Sequence, residues 1–373
     1  MAIYILIFSA FCVSVALSWI IIPRILVVAF RKRLFDVPDA RKVHTGVVPR
    51  LGGISFMPTI LFSVCFVTAV GLMLGEGSGG ERLMANLPEF FLLQCGLTLL
   101  YLTGVKDDLV GLRYKAKFVI QILCACLIPL SGVWINNFYG LFGLGAIPAW
   151  VGVPLTIFLT VFITNAINLI DGIDGLASGL SGAALLVFGC LYMAHGIWIY
   201  AMVCFATLGV LVPFFYYNVF GQVDRGRKIF MGDTGSLTLG YLLAFMAIRY
   251  SCYDPMMIPY EDGALIVAFS TLLVPALDVI RVVFYRWRHH KGLFSPDKSH
   301  IHHKFLAMGF TPRRSMVLIV MMACAFSCVN IFGINYVNNT LLFLFDVVVW
   351  TLLNLWFDRV RDRRQAAKEG DVH

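Results

Sequence analysis

Residues 165–177 read Asn-Ala-Ile-Asn-Leu-Ile-Asp-Gly-Ile-Asp-Gly-Leu-Ala at the end of an apolar stretch. Asn165, Asn168, Asp171 and Asp174 recur at every third position, and Gly172 and Gly175 follow the two carboxylates. Acids and amides are costly in or near hydrocarbon, so such a cluster marks a functional site. In a straight α-helix a step of three drifts by about 60°, which would smear the four groups round the cylinder. A 3₁₀ turn, or a helix end running into a glycine-loosened loop, would let them converge. Convergent carboxylates and amide oxygens are hard ligands of the kind Mg²⁺ takes.

Four other segments carry similar groups. One ends in Lys42-Val-His44-Thr-Gly-Val-Val-Pro49-Arg50-Leu-Gly52-Gly53, and a second reads Gly104-Val-Lys-Asp107-Asp108, followed by Lys115 and Lys117. A third reads Phe230-Met-Gly232-Asp233-Thr-Gly235-Ser236, and a fourth Ser295-Pro-Asp297-Lys298-Ser-His300-Ile-His302-His303, with Asp278 and Arg281 before it. Each has a plainer reading. Asp107 and Asp108 could cap a helix end, although adjacent like charges repel unless a cation or proton intervenes. Asp233 or Ser236 could cap a helix, yet a helix N-terminus is also an anion site. Arg50, Lys115 and Lys117 could be surface anchors. Asp278 and Arg281, at i and i+3, could neutralise each other. The three histidines could bind zinc, but no HExxH or cysteine partner accompanies them.

The elements that must position these groups follow from composition. The chain of 373 residues is 60% hydrophobic and 13% charged, whereas a soluble domain carries about 25% charge. Its mean hydropathy is +0.84. This predicts an all-α, polytopic membrane bundle rather than a soluble domain. A spanning helix needs about 20 apolar residues. Eleven segments qualify: 3–30, 54–74, 88–105, 118–135, 149–169, 178–194, 197–217, 236–251, 264–285, 315–334 and 340–357. Residues 1–357 then form a single transmembrane catalytic domain, and 358–373 a basic tail lying on anionic headgroups. The first segment is too long for a signal-peptide core and has no basic flank before it, so it is read as a retained helix.

Alternate connections 31–53, 106–117, 170–177, 218–235 and 286–314, with the tail, carry 25 of the Lys and Arg residues, and the other loops only Arg82 and Arg249. The positive-inside rule then puts the N-terminus outside and the C-terminus in the cytoplasm. All the polar clusters fall on the cytoplasmic face, as a site for a metal and a polyphosphate requires. Ten cysteines form no CxxC pair, and several, such as Cys12, Cys65, Cys95, Cys190 and Cys324, sit in apolar runs. They are expected to be buried free thiols.

In order along the chain, HxxxxPRxGG, GxxDDxxGL, NxxNxxDGxDGLA, GDxGS and the histidine loop closely resemble the polyprenyl-phosphate N-acetylhexosamine-1-phosphate transferase family. The match runs from His44 to His303. The histidine loop looks like the branch using UDP-N-acetylglucosamine or a related sugar for surface polysaccharides, less like the phospho-MurNAc-pentapeptide branch. The resemblance implies transfer of a sugar-1-phosphate from a UDP-sugar to undecaprenyl phosphate, releasing UMP, at a bacterial inner membrane. It implies Mg²⁺, with Mn²⁺ as a substitute, held by Asp233 with Asn168 and Asp171 close by. Asp107 and Asp108 would position or deprotonate the lipid phosphate. Phe230 would stack on uracil, and Asp174 would contact base or ribose. His44, Arg50, Lys117, His300, His302 and His303 would hold phosphates and sugar. A homodimer is the assembly the family suggests, and no nucleic-acid partner is expected.

Physical chemistry supports phosphoryl transfer independently. Two anionic reactants must meet, so charge neutralisation and alignment carry most of the catalysis. A phosphate monoester is already mainly a dianion at neutral pH, so direct in-line attack by the lipid phosphate is preferred over a covalent aspartyl intermediate. An ion-coupled transporter is the non-enzyme alternative, but transporter sites sit near the bilayer midplane at a repeat interface, and no repeat is evident.

Overall fold

A computed structural model describes residues 2–35, 48–75, 80–255, 260–290, 292 and 299–370. His44 and the stretch Ser295–Lys298 lie outside the described residues. The fold is all-α, with thirteen helices among the described residues: α1 (Ala2–Lys32), α2 (Phe56–Met73), α3 (Gly80–Val110), α4 (Tyr114–Leu130), α5 (Ala149–Ile170), α6 (Leu176–Ala194), α7 (Trp198–Phe215), α8 (Gly232–Ser251), α9 (Ala264–Ser270), α10 (Leu273–Arg288), α11 (Ile301–Ala307), α12 (Pro312–Gly333) and α13 (Asn339–Gly370). A 3₁₀ turn, Gly52–Ser55, leads into α2, and a π turn, Tyr216–Phe220, extends α7. The β content of the described residues includes the isolated bridge Asn137–Ala146.

Every expected segment is helical, but eight described helices are long and apolar enough to cross a membrane, or nine if α9 and α10 count as one span. The difference has physical causes. α4 stops at Leu130, where Pro129 and the left-handed Gly132 end it, so it has only 17 residues. α8 contains Asp233, Arg249 and several Gly, Ser and Thr, and from Thr234 to Ser251 every residue is buried. A helix enclosed by protein has no need of a lipid-compatible surface. The span expected at 264–285 is bent by 76° between α9 and α10. Pro275, in the first turn of α10, lacks an N–H and its ring would clash with the Thr271 carbonyl in a continuous helix. The tail does not stand apart, because α13 runs on through it to Gly370.

α8 is the axis of the bundle, packed chiefly on α5 and α3, while α1 lies along α7 and α12 along α6. Large apolar side chains on the outer faces, among them Phe8, Phe62, Phe91, Phe158, Phe332 and Leu352, are exposed, as a surface meant for lipid requires. All ten cysteines are free, but Cys12, Cys65, Cys95, Cys190 and Cys324 are exposed rather than buried. On a lipid-facing surface a small apolar thiol is as well placed outside as inside.

α3 runs from the end of the bundle where α8 finishes to the end where α8 begins. The start of α8, the end of α3, the start of α4, the α5–α6 turn and the Gly52–Ser55 turn therefore share one end, called here the near end.

Candidate active site

At the near end, α5 ends at Ile170, and Asp171–Gly175 form a turn closed by the left-handed Gly175 before α6. The expected helix end running into a loop is what forms. It separates the four polar groups. Asn165 turns away to make a reciprocal amide pair with Gln121 of α4, at 2.7 and 3.3 Å. Asn168 points the other way, its Nδ2 donating to Asp233 Oδ1 at 2.6 Å and to Ser236 Oγ at 2.8 Å.

Asp233 lies in the first turn of α8, where its charge suits the helix dipole. The residue at the N-cap position, Met231, has no capping side chain. Asp108 does that work from α3. Its Oδ1 accepts the Asp233 N–H at 2.7 Å, and its Oδ2 accepts the Thr234 N–H at 2.9 Å and the Thr234 hydroxyl at 2.5 Å. The approach needs two glycines. Gly232 has φ +73°, and a Cβ there would lie 2.2 Å from the Arg50 carbonyl oxygen and 2.6 Å from Asp108 Oδ2. A Cβ on Gly104 would lie 2.4 Å from Thr234 Cα.

Asp107 has a different environment. Its Oδ1 accepts the Leu112 N–H at 2.7 Å and its Oδ2 the Lys117 ammonium at 3.0 Å. Lys117 also reaches Asp233 Oδ1 at 2.5 Å. One cation thus bridges α3 and α8, and it answers the repulsion expected of adjacent aspartates. Asp233 is more open than Asp107, its side chain 27% exposed against 13%.

The Pro49–Gly53 strip is laced to the segment before α8. Phe230 N donates to the Pro49 carbonyl at 2.8 Å, and Gly52 and Gly53 donate to the Phe230 and Met231 carbonyls, both at 2.9 Å. Phe230 is half-buried and Arg50 exposed. Asp174 pairs with Lys228 at 2.5 Å. Buried Asn218, in the π turn, accepts the Gly175 N–H at 2.7 Å and donates to the Ile229 carbonyl at 2.8 Å, stapling the Asp171–Gly175 turn to the Asp233 segment. Sequence reasoning passed over both residues. Lys228 read as one more loop cation, and the signal for Asn218 was only an amide ending an apolar run.

The histidine segment arrives from the other side. A Cβ on Gly172 would lie 2.1 Å from His302 Nε2, so that imidazole rests on the turn beside Asp171. Burial, and then His303 and His300, hold His302 down to a pKa of about 3, with Asp278 opposing. The ring is neutral at physiological pH. His300 is buried and lies parallel to His302, ring centroids 5.9 Å apart, and His303 packs on His302 at 4.2 Å.

Asp171 lies among other carboxylates. Burial first, then Asp233 and Asp174, push the Asp171 carboxyl up to about 7, with Arg50 opposing. Its carboxylate takes no hydrogen bond from a described residue. Among the described residues no three His, Cys, Asp or Glu side chains form a protein-only metal cage. Mg²⁺ does not need one, since it is usually held by one or two carboxylates and substrate phosphates. Asp233 and Asp171, electrostatically coupled carboxylates, fit that mode. Asn168 would join them with its amide turned to present oxygen.

The family model for glycosyl transferase family 4 matches residues 90–251, from within α3 to the end of α8. The chain is 32% identical over 323 residues, 85% of its length and 82% of the relative's, to "Probable undecaprenyl-phosphate N-acetylglucosaminyl 1-phosphate transferase" of Bacillus subtilis (strain 168). It is 30% identical over 312 residues to the undecaprenyl-phosphate alpha-N-acetylglucosaminyl 1-phosphate transferase of Yersinia pestis, covering 82% of this chain and 78% of that one. The Escherichia coli (strain K12) protein of the same name is 29% identical over 312 residues, 82% and 77% of the two chains. With its apolar helices, the chain is a multi-pass membrane protein, and it belongs to glycosyl transferase family 4, the polyprenyl-phosphate N-acetylhexosamine-1-phosphate transferases.

Proposed function

We propose that this protein transfers N-acetylglucosamine-1-phosphate from UDP-N-acetylglucosamine to undecaprenyl phosphate, giving undecaprenyl-diphospho-N-acetylglucosamine and UMP. This would be the first membrane step of a cell-surface polysaccharide. The observation that carries the reading is the meeting of Lys117, Asn168 and Asp107 with Asp233, from α4, α5, α3 and α8. The relatives' names favour N-acetylglucosamine as the sugar.

The near end is proposed to face the cytoplasm of a bacterial inner membrane, with eleven crossings, the N-terminus outside and the C-terminus inside. Support comes from the Lys and Arg residues gathered on the connections that share the polar end. α4 and the enclosed α8 are the crossings added to the nine.

Asp233, with Asp171 and Asn168, would hold Mg²⁺, which when bound neutralises diphosphate charge and aligns it. The chain's own groups do the rest. Lys117, Arg50 and the histidine segment hold phosphate and sugar oxygens. Phe230 offers its ring to the uracil, and Asp174, fixed by Lys228, takes a polar edge of base or ribose. Asp107 sits where it can orient the lipid phosphate. Asp108 acts through α8, by holding the turn that carries Asp233. A lipid phosphate oxygen attacks the β-phosphorus of UDP-sugar, the anhydride bond to the α-phosphate breaks, and UMP leaves with that electron pair. The acceptor is already ionised, so no covalent enzyme adduct is required.

The test is a panel of UDP-sugars with undecaprenyl phosphate, Mg²⁺ and purified protein. UMP release that needs both substrates, and is fastest with UDP-N-acetylglucosamine, is expected. Rapid lipid-independent exchange of labelled UMP into UDP-sugar would replace direct attack by a covalent route. No lipid-dependent UMP release with any donor would end the proposal.

A further inference from the structure

Asp278 is completely buried in α10 and belongs to none of the motifs used above. Its Oδ1 accepts from Arg281 Nη2 at 2.8 Å and from the Ile301 N–H at 3.0 Å. Its Oδ2 faces His300 Nδ1 at 2.8 Å. Arg281 donates in addition to the Ser299 carbonyl oxygen. One carboxylate thus ties α10 to the start of α11. The same segment is held from behind by α13, where Lys304 reaches Asn354 Oδ1 at 3.2 Å and Asp358 Oδ2 at 2.9 Å, and Arg364 donates to the Met308 carbonyl.

The donors around Asp278 decide where a proton sits. A carboxylate beside a guanidinium, already taking a backbone N–H, is ionised and can only accept. The hydrogen of the His300–Asp278 bond therefore belongs to Nδ1. In the neutral ring Nε2 is then left with its lone pair, an acceptor and not a donor. His300 stacks on His302, and His302 lies on Gly172 beside Asp171, so the His300 ring is one stacked imidazole away from the turn of the proposed donor site.

We propose that Asp278 is a positioning residue that locks His300 in its Nδ1–H tautomer, so that Nε2 accepts a hydrogen bond from a hydroxyl or amide N–H of the donor sugar. The inference rests on the phosphosugar-transfer reading. Asn in place of Asp278 would separate this role from packing. Its oxygen would stay with Arg281 and the Ile301 N–H, and its NH₂ would face His300, forcing the opposite tautomer with Nε2–H. Partners that orient a histidine matter about 10- to 100-fold at metal-ligating imidazoles and about 10⁴-fold where the histidine is itself the catalytic base.

The experiment uses the full-length protein in lipid nanodiscs. Histidine ¹⁵N spectra, with the His300 signal assigned by its loss in His300→Gln, should show Nδ1 protonated in the wild type and Nε2 protonated in Asp278→Asn. The KM for UDP-N-acetylglucosamine should rise about tenfold or more, while the lipid KM stays within about twofold. In the His300→Gln background, Asp278→Asn should add nothing further. A wild-type spectrum with Nε2 protonated overturns the proposal even if the variant fails to fold. So do equal rises in both KM values, or losses that add across the two substitutions. Failure of the wild type to release UMP would instead strike the transfer reading, and the spectra would still decide the tautomer.

Discussion

α3 and α8 meet at both ends, with similar residue types and opposite results. At the far end Arg249 of α8 pairs with Glu89 of α3 at 2.7 Å, Tyr200 donates to the same carboxylate at 2.5 Å, and Asp254 lies 3.4 Å from the guanidinium. Arg249 is 1% exposed. At the near end Asp107 and Asp108 of α3 meet Asp233 of α8, which is 27% exposed, through Lys117 and the helix cap. Asp171 and Asp174 join them at the near end, where Asp174 pairs with Lys228 and the carboxylates raise the pKa of Asp171. Charge type does not separate structure from chemistry here. Enclosure does, together with how the charges are shared: the far end is a buried pair, and the near end is an open cluster of carboxylates that raise one another's pKa.

Exchanging the two behaviours is the strongest challenge to this contrast. Asp233→Asn should cost about 100- to 1,000-fold in kcat, the scale for losing one preorganised charge-stabilising group, with thermal unfolding in detergent unchanged. Near-wild-type turnover at saturating Mg²⁺ would remove Asp233 from the chemistry. Arg249→Ala should do the reverse. Removing one partner strands a buried charge, which costs about 3–5 kcal/mol, so unfolding should shift sharply while activity per folded molecule persists. Replacing Glu89 and Arg249 together by Leu and Met should restore most of the stability, since an apolar pair of similar volume often substitutes for a buried ion pair. A double variant as unstable as the single one would show that the pair is more than a seal.

The adjacent aspartates sharpen the contrast within the near end. Asp108→Asn puts an NH₂ against one of the N–H groups of Asp233 and Thr234, and a lost cap costs about 1–2 kcal/mol. It should lower both stability and turnover. Asp107→Asn keeps its hydrogen bond from Leu112 and loses charge toward Lys117. It should lower turnover with little change in unfolding. Identical profiles for the two variants would contradict the division between a cap and a substrate-facing group.

Much of this was readable in the sequence, for identifiable reasons. Long apolar runs announce helices because the bilayer demands about 20 such residues, and acids at their ends announce a site because hydrocarbon penalises them. What stayed hidden depended on direction. Asn165 and Asn168 have the same chemistry and neighbouring positions, yet one pairs with Gln121 and the other with Asp233. Asp278 and Arg281 pair as i and i+3 residues can, but the spacing could not reveal that the same carboxylate also takes His300 and the Ile301 N–H. The bend at Pro275 lay inside a run whose hydropathy reads as one span. His44 lies outside the described residues, so its placement in the HxxxxPRxGG motif rests on sequence alone.

The smallest expected effect is a pH dependence, and it probes the coupling of the near-end carboxylates directly. Asp171, pushed up to about 7 by burial and by Asp233 and Asp174, holds its proton well above the ordinary carboxylate value of 3.8. A proton and a metal then compete for one group, and a ligand must be deprotonated to bind. Above pH 7 the affinity for Mn²⁺, measured by titration without substrate, should be flat. Below pH 7 it should fall by up to tenfold per unit as the proton wins. The metal-free protein should show the complementary trend. A raised folded-state value means that folding favours the protonated group, so Asp171 contributes stability that is full below 3.8 and is lost as pH rises through 7. Asp171→Asn should abolish the Mn²⁺ slope, weaken Mn²⁺ at high pH and reduce the stability slope, to which Asp108, pushed up to about 6 chiefly by burial, also contributes. Phosphate groups of the substrates also titrate near 6, which is why the titration omits them. If the Mn²⁺ slope survives in Asp171→Asn, the competing proton sits elsewhere in the near-end cluster, and Asp171 is not the group that couples the metal to pH.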